Sequence, residues 1–375
     1  MTIVARTMRR IGRRISMSNQ PSSLRTALSQ EYGLGKATLE IQDYWERYRT
    51  HTQIRQNGAV SNLGDGIAIT THGIDTRLIA WPGNGFQTQA VHVLTVKPGE
   101  ESERYAYDMA DEAMVCFKGK GQVYLRGQWL DVEPGDIAYF PATVERAVRN
   151  PSSNQDDFVL VTSISPPQFD LYEPAGFYDS VHKVMNYEAV QYAKINTKRV
   201  QYSPDNEMAF HDSHPEVRAW NLSNEEIRRG GALFNAFYGG ALTELVHGDA
   251  QEAGPSMLLI LFAGFGTGAT GFNFSCMTPG MTADIHTHPV SDECVVNWWG
   301  GDLCWIGDRF VPAASYDCIL APSGVRHGAV VPADNPSVFL VGGFAAPPQL
   351  DLLMTSGYYQ DGKFTRPSFS RLAMP

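Results

Sequence analysis

The chain repeats itself. Two segments align without a gap at a constant offset of 181 residues, the separation of Glu112 from Glu293. Pro98-Gly99 falls on Pro279-Gly280, Gly119 on Gly300, Asp136 on Asp317 and Pro141 on Pro322. The register holds through SPPQFDLYEPAGFY, ending at Tyr178, against APPQLDLLMTSGYY, ending at Tyr359. A tandem duplication restricts the chain to two copies of one architecture. Length agrees, because 375 residues exceed one ordinary core and suit two domains of roughly 100 to 200 residues each.

Each copy is dense in short apolar or alternating stretches separated by Gly, Pro and Asp turns: AVHVLTV, AMVCF, QVYLRG, DIAYF and FVLVTSI, then FNFSCM, ECVVNWW, DLCWIG, CILAP and VFLVGGF. Such spacing predicts an all-β sandwich or barrel. Helical signals are confined to SSLRTALSQEYG and LEIQDYWERYR in the amino-terminal arm, to NLSNEEIRRGGALFNAF, and to the PPQFDLY and PPQLDLL tails. Ser223 followed by Glu226 predicts a capping box. The division expected from these signals is a leader and helical arm over 1–55, a barrel over 56–180, a connector over 181–255 and a second barrel over 256–375.

The second copy contains GMTADIHTHPVSDECVVNWWG. In a strand, side chains at i and i+2 share a face, so His286 and His288 both turn inward while Thr287 points out. Glu293 opens the neighbouring strand, and His327, in PSGVRHG, returns on a later one. Three imidazoles and a carboxylate suit Fe(II), Mn(II), Ni(II) or Zn(II) with open positions for substrate or dioxygen. The first copy keeps the frame without the ligands. Tyr105 and Tyr107 stand at the histidine positions, Glu112 is retained, and Arg146 replaces the third histidine. Arginine offers only donors, so this barrel is expected to be metal-free, with Arg146 paired to Glu112.

These residues resemble the cupin superfamily. Gly280 to Gly300 fit its first motif, G-x5-HxH-x4-E-x6-G, at every defined position. Pro322, Gly324 and His327 fit the second, where Tyr316 stands for a glycine and Val331 for an asparagine. The resemblance implies a bicupin of two jelly-roll barrels. It is similar to the gentisate, salicylate and 1-hydroxy-2-naphthoate 1,2-dioxygenase group, although that group typically carries its intact motif in the first cupin. The activity so implied is Fe(II)-dependent cleavage of a hydroxylated aromatic acid by O2. Two alternatives stand beside it: metal-dependent hydrolysis, as in bicupins resembling ureidoglycine aminohydrolase, with Glu293 as base, and a non-catalytic binding bicupin.

Around the metal, Trp298, Trp299, Trp305, Phe272, Phe274 and Phe344 are read as walls for a flat substrate. Arg326 is read as the receptor for a substrate carboxylate, with Asn297 and Gln349 as further polar contacts. His211 and His214 read as a surface cluster, and His182 and His247 have no partner assignable from sequence. A net charge of −10 and a pI near 5.5 argue against nucleic acid. No run reaches the roughly 18 apolar residues a membrane span needs. The five cysteines, odd in number and without CxxC, read as reduced core residues of a cytosolic protein. The basic stretch MTIVARTMRRIGRRIS is read as a disordered or spurious leader, and a homo-oligomer is expected by analogy with other bicupins.

Overall fold

The computed structural model describes residues 51–196, 208–242, 257–279, 282–331, 339–348, 358–360, 363–365 and 369–371. The helical signals before residue 51, His247 and Gln349 lie outside them. A helix, α1 (His51–Asn57), leads into β1 (Ala59–Asn62). The first barrel follows as β2 (Gly66–Thr71), β3 (Ile74–Ala80), β4 (Ala90–Val96), β5 (Asp111–Lys118), β6 (Gly121–Leu125), β7 (Gln128–Val132), β8 (Asp136–Phe140), β9 (Ala147–Arg149) and β10 (Phe158–Ser165). Between the barrels run β11 (Tyr178–Asp179), β12 (Val184–Met185), β13 (Ile195–Asn196), helix α2 (Asn224–Gly230) and β14 (Ala232–Asn235). The second barrel comprises β15 (Gly240–Leu242), β16 (Met257–Leu261), β17 (Gly271–Met277), β18 (Thr282–His286), β19 (Asp292–Trp299), β20 (Asp302–Ile306), β21 (Arg309–Ala313), β22 (Asp317–Ala321), β23 (His327–Val330) and β24 (Phe339–Ala346).

The all-β, two-barrel expectation holds. In the first barrel a large sheet, ordered β13-β2-β3-β4-β10-β5-β8-β14, lies over the small sheet β7-β6-β9. In the second, β1-β22-β19-β24-β17-β16-β15 and the strand Phe369–Arg371 lie over β18-β23-β20-β21. The capping box is present at α2, where Ser223 Oγ accepts from the Glu226 N–H and Glu226 Oε2 accepts from the Ser223 N–H. Cys116, Cys294, Cys304 and Cys318 are buried, whereas Cys276 is exposed. Among the described residues no helix is long and apolar enough to cross a membrane.

One edge of each large sheet is exchanged between the barrels. β1 pairs antiparallel with β22 of the second barrel, from Ala59↔Leu320 to Asn62↔Asp317. β14 pairs in the same way with β8 of the first, from Ala232↔Tyr139 to Asn235↔Asp136. Asn62 Nδ2 donates to Asp317 at 2.9 Å and Asn235 Nδ2 to Asp136 at 3.4 Å. Each repeat therefore starts with its own helix, at α1 or α2, and lends that helix and strand to the other barrel. The turn from helix to strand falls at Gly58 and Gly231, with φ of 68° and 75°. A Cβ at Gly58 would lie 2.8 Å from the Leu320 carbonyl oxygen, and one at Gly231 2.3 Å from that of Tyr139, so both positions require glycine.

The large sheets meet through their outer faces. Phe117 and Trp298, which occupy equivalent positions of the two repeats, pack on one another with ring centroids 4.4 Å apart, and Tyr316 stands edge-on to Phe117 at 4.9 Å. All three rings are buried in a core that spans both barrels. Tyr316 holds φ of 71°, and its equivalent Gly135 holds 102°. Tyrosine thus occupies a left-handed position that suits glycine, retained by the burial of its ring. Tyr316→Gly relieves strain of about 1–2 kcal/mol but forfeits an aromatic side chain worth about 3–5 kcal/mol. A net loss of roughly 2 kcal/mol is expected by urea unfolding, and a stabilised variant would show that strain dominates.

Candidate metal centre

Register brings the four sequence-predicted ligands together. β18 pairs with β23 so that His286 lies opposite His327, and β19 supplies Glu293 from the large sheet facing them. β18 ends at His286, and His288 turns inward just beyond it while Thr287 is exposed. One ligand atom from each of His286, His288, Glu293 and His327 lies within 4.8 Å of every other. Glu293 Oε2 stands 2.7 Å from His327 Nε2 and 3.1 Å from His288 Nε2. The imidazole centroids are separated by 4.4 Å (His286 and His327), 4.9 Å (His286 and His288) and 5.2 Å (His288 and His327).

The donor set fits one divalent transition ion. Ligand atoms about 2.0–2.2 Å from a common centre stand no more than about 4.4 Å apart, close to the spread seen here. His327 Nδ1 meets the Val325 carbonyl oxygen at 3.0 Å, which fixes the ring with Nε2 toward the centre. Burial pushes the Glu293 carboxyl up, but His288 and His327 beside it prevail and hold it well below the usual range, so it is an anion ready to ligate. His288, Glu293 and His327 are buried whereas His286 is exposed. The cluster thus sits at the barrel mouth with one side open to solvent.

The first barrel shows what the same frame does without ligands. Arg146 Nη1 approaches Glu112 Oε2 at 3.3 Å, with both side chains buried, as the sequence predicts. Thr162 Oγ1 donates to Glu112 Oε1 at 2.7 Å and the Tyr105 hydroxyl to Oε2 at 3.2 Å. His72 stacks on Tyr105 at 3.5 Å and meets the Tyr107 hydroxyl at 3.1 Å. Burial, then Arg146, lowers the His72 pKa to about 4, so the ring is neutral and adds no charge beside Arg146.

Of the expected walls, Trp298, Trp305, Phe272, Phe274 and Phe344 face away from the centre. Glu293 fixes the inward parity of β19, so Asn297 shares its face and Trp298 takes the opposite one, against Phe117 of the first barrel. Asn297 is buried and lies four residues along the strand from Glu293, roughly 13 Å away. Phe272 and Phe344 are register partners whose tilted rings lie 4.9 Å apart, and with Phe274 they join the same inter-barrel core. Ile306 is the register partner of His327, so Trp305 faces outward, edge-on to Phe310 at 4.9 Å. Arg326 is exposed, because its strand neighbour His327 points in. Trp298 and Trp305 thus turn away from the cluster, Asn297 lies deeper along β19, and Arg326 is exposed in the turn before β23.

What does lie beside Glu293 is Gly343. A Cβ there would come within 2.8 Å of Glu293 Oε1 and 2.9 Å of Asn273 Oδ1. Position 343 is the equivalent of Thr162, whose hydroxyl occupies Glu112 in the first barrel. The repeat alignment carried this signal, with glycine where the metal-free copy has a side chain. Of the other histidines, His211 Nδ1 meets Glu133 at 2.7 Å and exposed His182 meets Asp179 at 2.6 Å. Both contacts lie apart from the metal cluster.

Residues 92–162 match the Cupin domain family model, a stretch within the barrel that lacks the ligands. The fold is that of two tandem cupin-type barrels. No curated protein matches it in sequence. Among solved structures, it is similar to protein Ylba from E. coli, with 11% identity, a TM-score of 0.49 and coverage of 78% of this chain and 91% of that one. It is also similar to a Pseudomonas aeruginosa protein described as glyoxylate-induced, at 13% identity, 77% and 88% coverage and a TM-score of 0.50. Oxalate decarboxylase from Bacillus subtilis aligns at 12% identity over 77% of each chain, with a TM-score of 0.45. At such identities the likeness concerns the cupin fold alone.

Proposed function

We propose that the second cupin barrel is a metal-dependent enzyme centre for a small polar substrate, and that its reaction is hydrolytic, of the aminohydrolase class. The observation that carries this reading is the lining around the cluster. Asn273, Val295, Val341, Gly343 and Ile306 share the inward faces of their strands with the ligands. Trp298, Phe272, Phe274 and Phe344 turn to the inter-barrel core, and Trp305 packs outward on Phe310. Met277, Val331 and Val341 fill the barrel beneath, with Val295, Ala283 and Ala329 against them. A compact molecule entering at exposed His286 fits such a mouth better than a stacked ring does.

A metal held by His286, His288, Glu293 and His327 would supply Lewis acidity and an acidified water. Glu293 contributes a second property of its own. Oε2 meets the imidazoles, while Oε1 turns toward Gly343 and Asn273 and can accept a proton from a substrate-side water. The Asn273 amide, across the same gap, offers both a donor and an acceptor to a polar substrate. Fe(II)-dependent ring cleavage of a hydroxylated aromatic acid fits the three-histidine ligand set and is the competing reading.

Metal analysis followed by a substrate panel separates the two. Ammonia release from a ureido or small amide acid with Mn(II), unchanged under strict anaerobiosis, is expected. Oxygen uptake with loss of ring absorbance on a 2-hydroxybenzoate in the presence of Fe(II) would overturn it in favour of dioxygenation.

A further inference from the structure

We propose that Asp292 is a positioning residue for the metal ligands, held in place by Arg55 of the exchanged helix and by the first barrel. The inference rests on the reading that the second barrel binds a metal. The Asp292 carboxylate is buried and accepts from four donors. Arg55 Nη1 at 2.6 Å and the Ser323 N–H at 2.8 Å meet Oδ1, and the Gln87 and Thr88 N–H groups at 2.5 and 2.9 Å meet Oδ2. Its backbone is held as well. Asp292 N donates to Thr88 Oγ1 at 3.2 Å, and Gln89 Nε2 donates to the Asp292 carbonyl oxygen at 2.7 Å.

This residue precedes Glu293, and its partners reach the other ligand-bearing segments. Ser323 lies in the turn that leads to His327, and Arg55 Nη2 donates to Ser323 Oγ at 2.7 Å. The next residue in that turn, Gly324, donates its N–H to the His288 carbonyl oxygen at 2.8 Å. One carboxylate thus ties together the backbone segments that carry His288, Glu293 and His327, and it is held from outside its own barrel. Ligand placement to a fraction of an ångström depends on such supports, and losing one costs about 10–100-fold in metal affinity.

The first barrel provides the internal control. Asp111 is the repeat equivalent of Asp292 and makes the reciprocal contact, accepting from the Ala269 N–H at 2.6 Å across the interface and from the Ala142 N–H at 3.0 Å. Its remaining donor is the Tyr139 hydroxyl at 2.8 Å instead of an arginine. A purely structural role predicts that the two aspartates behave alike. A positioning role predicts that they differ in metal affinity.

The test is a Co(II) titration followed by visible absorbance, with thermal unfolding of the metal-free protein, on wild type, Asp292→Asn, Asp111→Asn and Arg55→Lys. Asp292→Asn is expected to weaken Co(II) binding at least about ten-fold and to alter the ligand-field bands, with Asp111→Asn losing comparable thermal stability at wild-type affinity. Arg55 is partly exposed, with 27% of its side chain accessible, and its lysine variant loses the fork that bridges Asp292 and Ser323. Should the asparagine variants fail to fold, weakened Co(II) binding by Arg55→Lys at unchanged melting temperature supports the proposal. Wild-type affinity in that variant overturns it. Equal affinity in wild type and folded Asp292→Asn also overturns it while leaving the metal site standing. Absence of Co(II) binding by wild type overturns the underlying reading as well.

Discussion

His286→Ala is expected to purify without metal and with its fold intact, whereas Tyr105→Ala, at the equivalent position of the first barrel, keeps the metal and loses stability. The contrast follows from where the side chains lie. His286 is the exposed member of the four-residue cluster, so its truncation leaves no cavity and costs within about 0.5 kcal/mol, as surface substitutions do. It does remove a direct ligand. Loss of an outer partner already costs about 10–100-fold in affinity, and loss of one of four donors exceeds that. Tyr105 is stacked on His72 at 3.5 Å and donates to buried Glu112 at 3.2 Å, so its removal disturbs packing and a buried hydrogen bond together, about 1–3 kcal/mol. Metal content by elemental analysis and urea midpoints on the same samples check both halves. Equal metal content in wild type and both variants would overturn the ligand assignment.

The positions of the ligands and the errors about the walls share one physical origin. Strand alternation is a local rule, so HxH followed by a glutamate and a distant histidine specifies a converging set once a barrel is granted. The same rule, started from Glu293 and His327 as inward residues, sends Trp298 and Arg326 outward. Aromatic content says that a ring is buried and not which of two faces buries it, and in a two-barrel chain the outer face of each large sheet is also core. The exchanged strands were not legible at all. Ala59 and Leu320 pair across most of the chain, and no local pattern names so distant a partner. Gly343 was legible only by comparison of the repeats, as the small residue facing the carboxylate that Thr162 covers in the other copy.

Arg146→Met is expected to destabilise the protein by about 3–5 kcal/mol, and Glu112→Gln together with Arg146→Met to recover most of that loss. Removing one partner of a buried ion pair leaves the other charge without compensation, whereas replacing both is often close to neutral. Arg146 and Glu112 are 0% and 1% exposed in their side chains, so no water reaches the carboxylate left behind. Burial already pushes the Glu112 carboxyl up, against Arg146, Thr162 and Tyr105, and without the guanidinium it rises further. The pH dependence then has a definite sign. A carboxyl whose folded pKa lies above its unfolded value binds the proton more tightly when folded, so stability at this group is full below the unfolded value and falls as pH rises through the folded one. Arg146→Met should accordingly be closest to wild type in mild acid and furthest from it at neutral pH, while the double variant, lacking the carboxylate, shows no such trend. Urea unfolding across that range measures it. A single variant as stable as wild type at neutral pH would mean that the pair is not what holds the first barrel in its metal-free form.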